Sequence, residues 1–234
     1  MNQRMKIMAG IAFFVCLLFT SSSFAQIEFA PTGATWTYAT EIRNWQSQIT
    51  DRGLTTVRYD RDTLIGERLA KVLEIQGVNI TTESLDTMHF TQPAKIIHQI
   101  NDSIFLYQNG AFELIYSFAA QPGELVTLAS PEFSLQTSIE TVAIEMLNGQ
   151  ALKRFDGQIL CNDFPWMSFR YFEKVGAPEL FLFYHNDICY TDNTTSYSLR
   201  CYEDEDFGTH QFSSLPCGQI LTNVNDPKTQ TPPI

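Results

Sequence analysis

The chain has 234 residues, and its 15 Lys and Arg stand against 26 Asp and Glu, a formal charge of −11. Hydrophobic residues make 44% and charged residues 18%, enough apolar material for a core and too little charge for a disordered chain. The acidic balance excludes the basic face that a nucleic-acid binder needs, and the length suits one domain.

The first segment reads as an address. Arg4 and Lys6 precede an apolar run from Ile7 to Phe19, and Ser23-Phe24-Ala25 supplies small residues at the −3 and −1 positions of a signal peptidase site. The run is shorter than the ~20 residues that span a bilayer. Residues 1–25 are therefore expected to be a signal peptide cleaved between Ala25 and Gln26, with no transmembrane span in what remains. Cleavage removes Cys16 and leaves Cys161, Cys189, Cys201 and Cys217, an even number in an exported chain, so two disulfides are expected. Their wide spacing lacks the close pairs of a zinc site.

Residues 26–34 form an extended lead-in. Thr35–Ile42, Leu54–Asp60 and Leu69–Ile75 alternate in the manner of strands, with a turn around Gly66. Leu69, Lys71, Leu73 and Ile75 should share one face. Lys95–Gln99, Ser103–Gln108 and Phe112–Phe118 follow, separated by Asn101-Asp102 and Asn109-Gly110. Asn-Gly favours a type I′ hairpin turn because both central residues need positive φ. It recurs at Asn148-Gly149, between the strands Ser138–Met146 and Ala151–Leu160. Gln121-Pro122-Gly123-Glu124 reads as a connecting turn before Leu125–Leu128. Met167–Val175, Glu179–Tyr184, Ser198–Tyr202 and Thr209–Phe212 complete the strands. Short turns of helix are admissible only near Trp45 and at Ala119-Ala120. The expected fold is all-β, an antiparallel meander of consecutive hairpins closing as a curved sheet, barrel or sandwich over residues 26–222. Residues 223–234 are polar and Pro-rich, the composition of a disordered tail or linker remnant.

If Ser198–Tyr202 lies between its sequence neighbours, Cys201 is internal to the sheet and Cys189 can reach Cys217 across the same end. The pairing expected on that condition is Cys161 with Cys201 and Cys189 with Cys217.

Several strings in fixed order carry a resemblance. They are Gly33-Ala34-Thr35-Trp36-Thr37-Tyr38, Asp62-Thr63-Leu64-Ile65-Gly66, the tyrosine-bearing hairpin Ile104–Tyr116, and Tyr116-Ser117-Phe118 with Gly123-Glu124. Arg170-Tyr171-Phe172-Glu173-Lys174-Val175-Gly176 and Leu199-Arg200-Cys201-Tyr202-Glu203-Asp204 complete them. Together they resemble a group of secreted β-rich proteins of Bacteroidota, of unassigned activity, many of which end in a type IX secretion sorting domain. The resemblance implies an exported or cell-surface address and no particular chemistry. The sorting domain is not found in this sequence.

The sequence holds no nucleophile elbow, zincin helix, phosphate loop or dinucleotide fingerprint. His89, His98, His185 and His210 are scattered. The one local constellation is Glu203-Asp204-Glu205-Asp206, whose clustered carboxylates suit calcium, although a solvated acidic hairpin tip explains them as well. No other cofactor is expected. The 18 Phe, 9 Tyr and 3 Trp could line a carbohydrate-binding face, and they equally serve a β-sheet core. The leading expectation is a non-enzymatic binding or structural module, with an extracellular protein or carbohydrate as partner. The alternatives are a barrel-type carrier of an apolar ligand and a secreted hydrolase without a recognisable motif.

Overall fold

The computed structural model describes residues 26–129, 134–161, 163–178 and 194–220. The signal segment with Ala25, the expected strand 179–184, His185, Cys189 and the tail lie outside these residues.

The described chain is all-β, with twelve strands in two antiparallel sheets and no helix among the described residues. Six strands follow one another by hairpins: β1 (Thr35–Arg43), β2 (Ile49–Ile65), β3 (Arg68–Thr81), β4 (Thr87–Ile100), β5 (Ser103–Gln108) and β6 (Ala111–Ser117). A second meander holds β7 (Leu125–Ala129), β8 (Ser134–Leu147), β9 (Gln150–Cys161) and β10 (Phe164–Phe172). Then β11 (Thr194–Asp204) and β12 (Gly208–Gln211) return to the first sheet. The eight-stranded sheet runs β12-β11-β1-β2-β3-β4-β5-β6 and curls like half a barrel, and the four-stranded sheet runs β10-β9-β8-β7. The expected meander thus holds within each sheet. The pairing of β11 with β1 is its one long-range exception.

Turn chemistry explains the hairpins. Asn109-Gly110 and Asn148-Gly149 all have positive φ, the geometry of type I′ turns, and they set the pairs Gln108–Ala111 and Leu147–Gln150. The Trp45 segment is a tight turn between β1 and β2, with the Ser47 amide bonded to the Asn44 carbonyl. Leu69, Lys71, Leu73 and Ile75 do not share one degree of burial. Leu73 and Ile75 are fully buried and Leu69 is exposed, while Ala70 and Val72 on the opposite parity are buried as well. Register shifts opposite this stretch, in β2 between Tyr59 and Arg61 and along β3–β4 between Leu73 and Ile75, break the simple alternation.

One core lies between the sheets. Trp36 and Tyr38 of β1, Val57, Ile75, Ile97, Ile104 and Tyr116 meet Ile139, Leu152, Phe155, Phe169 and Tyr171 from the smaller sheet. Rings dominate it: Phe155 and Tyr171 stack at 4.7 Å, and Trp36 lies 5.1 Å from Tyr202. The lead-in is part of this core. Phe29 packs on Trp36 and Tyr116, and the Gln99 carboxamide clamps it by accepting from the Phe29 amide (2.8 Å) and donating to the Ile27 carbonyl (2.8 Å).

The disulfide pairing differs from expectation. Cys201 is bonded to Cys217, with Cα atoms 5.5 Å apart. Cys161 is also disulfide-bonded. The physical reason is the position of β11 between β12 and β1. After β12 the chain returns far enough to bring Cys217 to Cys201.

Candidate functional site

On the first sheet, the face of β2, β3 and β4 that points away from the core carries a groove of about 360 Å3. Register puts six side chains there in two rows across three strands. Val78 pairs with Leu54 on one side and His89 on the other, and Gln76 likewise with Thr56 and Thr91. Alternation requires this arrangement: Thr55 and Val57, on the opposite parity of β2, point inward and are buried. The floor includes Gly77. A Cβ there would stand 2.3 Å from the Phe90 ring and 2.6 Å from the Leu54 carbonyl oxygen, so glycine is what lets the Phe90 ring pack against this stretch of β3. The six lining side chains are aliphatic or neutral-polar, apart from His89. In an acidic protein that is a local absence of charge. Beside them the Arg58–Glu74 pair (2.8 Å) closes one end of the row system.

A second constellation is buried. The segment after β10, from Glu173 to Ala177, threads between the sheets and is buried throughout. Its backbone is held by rings from other strands. Trp36 Nε1 donates to the Val175 carbonyl (2.7 Å), Tyr38 Oη to the Ala177 carbonyl (3.3 Å), and the Ala177 amide donates to Tyr116 Oη (3.2 Å). Lys174 and Gly176 have positive φ, and Gly176 packs against the Tyr116 ring. Glu173 accepts from the Lys153 amide (3.0 Å).

Lys174 points toward β11. Its Nζ lies 2.9 Å from Asp204 Oδ2, with side-chain exposures of 7% and 0%. Tyr202 Oη donates to the same oxygen at 2.5 Å, and Asp204 Oδ1 accepts the amides of Asp206 (2.9 Å) and Phe207 (2.7 Å). Burial would raise the Asp204 carboxyl, but Tyr202, Lys174 and the Phe207 amide outweigh it and hold the group below the usual carboxylate range. Burial first, and then the Asp204 carboxylate, push the Tyr202 phenol far above its ordinary value.

The four acidic residues considered for calcium are therefore not one cluster. Asp204 turns inward to this centre, while Glu203, Glu205 and Asp206 face solvent, and Glu203 accepts from Thr209 Oγ1 (3.0 Å). Among the described residues no group of three or more His, Cys, Asp or Glu is placed to hold a metal ion. The histidines are separated as well. His89 lines the groove, His98 Nδ1 lies 2.6 Å from the Leu69 carbonyl, and His210 Nδ1 lies 3.0 Å from Asn148 Oδ1.

Sequence reasoning missed Lys174 and the groove. Tyr202 and Asp204, two apart on one strand, were readable as same-face neighbours, but their partner lies 30 residues back across the inter-sheet space.

No family model matches the chain, and no curated relative matches it. Among solved structures, an exported-protein candidate of Bacteroides fragilis with a YmcC-like fold aligns over 77% of this chain and 100% of its own, at 8% identity and a TM-score of 0.33. A match at that level says nothing about activity.

Proposed function

We propose that the protein is an exported binding module whose groove on β2–β4 takes an uncharged polar ligand of the saccharide type. The observation that carries this is the groove's lining. Thr56, Gln76, Thr91 and His89 offer hydroxyl, amide and imidazole groups beside the aliphatic surfaces of Leu54 and Val78. Such a mixture suits the alternating hydroxyl and C–H faces of a sugar. The interior between the sheets is filled with aromatic and aliphatic side chains, which favours a ligand on the outer face over a carrier with an apolar cavity. The Lys174–Asp204 centre is closed to solvent, which disfavours hydrolysis there. The Cys201–Cys217 bond supports an oxidising compartment, and no helix of the described residues is long and apolar enough to cross a membrane.

The test is a titration of the folded protein with neutral and acidic oligosaccharide panels, read by calorimetry and by chemical-shift changes. Neutral sugars should perturb the Gln76, His89 and Thr91 amides, and Gln76→Ala should weaken binding about tenfold or more. Binding confined to residues outside β2–β4, or to acidic sugars alone, would overturn the assignment.

A further inference from the structure

The geometry points to a covalent cross-link: Lys174 and Asp204 condense to an intramolecular amide that joins the segment after β10 to β11, and so one sheet to the other. Four observations meet at this pair. The nucleophile and the electrophile are in contact, with Nζ 2.9 Å from Oδ2, and both side chains are removed from water. The other carboxylate oxygen, Oδ1, already sits in a two-donor pocket made by the amides of Asp206 and Phe207. The hydroxyl of Tyr202 lies 2.5 Å from Oδ2 and can pass a proton to it. Lys174 is held at a φ of +69°, a left-handed conformation unusual for a side chain of this size, in a turn closed by the Phe172–Gly176 bridge.

The reaction balances without a co-reactant. One proton passes from Lys174 Nζ to Oδ2 across the 2.9 Å contact, against the Tyr202 and Phe207 hydrogen bonds that favour the carboxylate, so the neutral pair is the minor, reactive form. The Nζ lone pair then attacks Asp204 Cγ, and the carbonyl electron pair moves onto Oδ1. There the two amides act as an oxyanion hole. Tyr202 relays a second proton from nitrogen to Oδ2, and the C–Oδ2 bond breaks to release water. One ammonium and one carboxylate become one secondary amide and one water, with no change of oxidation state. The Phe207 ring lies 5.9 Å from Nζ, and the Lys174 side chain is only 7% exposed.

The experiment is the intact mass of the purified, folded chain after full reduction and denaturation. The expected value is one water (about 18 Da) below the sequence mass. Trypsin should no longer cut after Lys174, and the peptide beginning at Tyr171 should be found joined to the one beginning at Cys201. Lys174→Arg keeps a buried cation opposite Asp204 and should restore the full mass. Tyr202→Phe should form the link at least about tenfold more slowly. A wild-type chain of full sequence mass after folding overturns the proposal. So does a water loss that persists in Lys174→Arg, which would place the dehydration elsewhere.

Discussion

Trp36→Phe tests whether the buried segment after β10 is held by its side-chain donors or only by packing. The indole is fully buried, and its Nε1–H is the donor for the Val175 carbonyl at 2.7 Å. Replacing it with a benzyl ring leaves that carbonyl without its donor inside the core, a cost of about 1–3 kcal/mol. The smaller ring also leaves a void of roughly 40 Å3, which at ~24 cal/mol per Å3 adds about 1 kcal/mol. Together the loss is about 2–4 kcal/mol. Urea unfolding followed by far-UV circular dichroism, with disulfides intact, should show the midpoint fall at unchanged slope. The matched control is Trp166→Phe on the 60%-exposed tryptophan of β10, which should stay within about 0.5 kcal/mol of wild type. If Trp36→Phe also stays within that margin, the Trp36–Val175 bond contributes nothing net and the segment is secured by shape alone.

Other substitutions probe other parts of the fold. Gly77→Ala should lower the unfolding midpoint by an amount typical of core overpacking, about 1–3 kcal/mol, because the new methyl meets the Phe90 ring and the Leu54 carbonyl; a neutral result would mean that Phe90 swings away freely. Replacing Cys201 and Cys217 with Ala opens a 16-residue separation and should cost about 3 kcal/mol, measured by the same denaturation. Asp156 tests pH dependence. Burial would raise its carboxyl, but the hydrogen bonds from Arg170 (2.6 Å) and Arg154 (2.9 Å) outweigh this and hold it below the usual range. Its contribution is therefore present above the unfolded value of about 3.9 and is lost as pH falls through the depressed folded value. Asp156→Asn should be less stable than wild type by up to about 1 kcal/mol at neutral pH, with the gap closing in acid; a gap that widens in acid would reverse the sign of the argument. Millimolar calcium should leave the melting temperature unchanged, since Asp204 is committed to Lys174 and Tyr202; a rise would reinstate the acidic turn as a cation site.

The hairpins were legible in the sequence because their determinants are local. Asn109-Gly110 and Asn148-Gly149 state both the turn type and the antiparallel sense of the strands they join. Strand length was not legible. Leu54–Asp60 is the recognisable middle of a strand that runs from Ile49 to Ile65, since its ends lack a regular apolar alternation yet continue the pairing. The disulfide pairing failed for a topological reason: β11 lies against β1, about 150 residues away, and nothing local in Ser198–Tyr202 announces that neighbour. The groove was hidden for a related reason. Thr56, Gln76 and Thr91 are ordinary strand residues until register aligns them, and register across three strands is a property of the assembled sheet.

Four of the six strings that carried the resemblance converge on one place. Trp36 from the first, Tyr116 from the hairpin, Glu173 to Gly176 from the fifth and Tyr202 with Asp204 from the last all meet around the buried segment after β10. Their order along the chain is thus the order in which the fold delivers donors, rings and one ion pair to a single inter-sheet joint. None of the groove residues Leu54, Thr56, Gln76, Val78, His89 and Thr91 belongs to any of these strings. The two constellations also sit on different sides of the first sheet, one between the sheets and one on the outer face. Changes in the groove can therefore alter what is bound without disturbing the joint, and changes at the joint act first on folding. A paired experiment separates them. Gln76→Ala should shift ligand affinity with an unfolding midpoint within about 0.5 kcal/mol of wild type, while Trp36→Phe should shift the midpoint and leave the affinity of the folded fraction intact. A change in both quantities for Gln76→Ala would mean that the groove is part of the structural core and not a separate binding face.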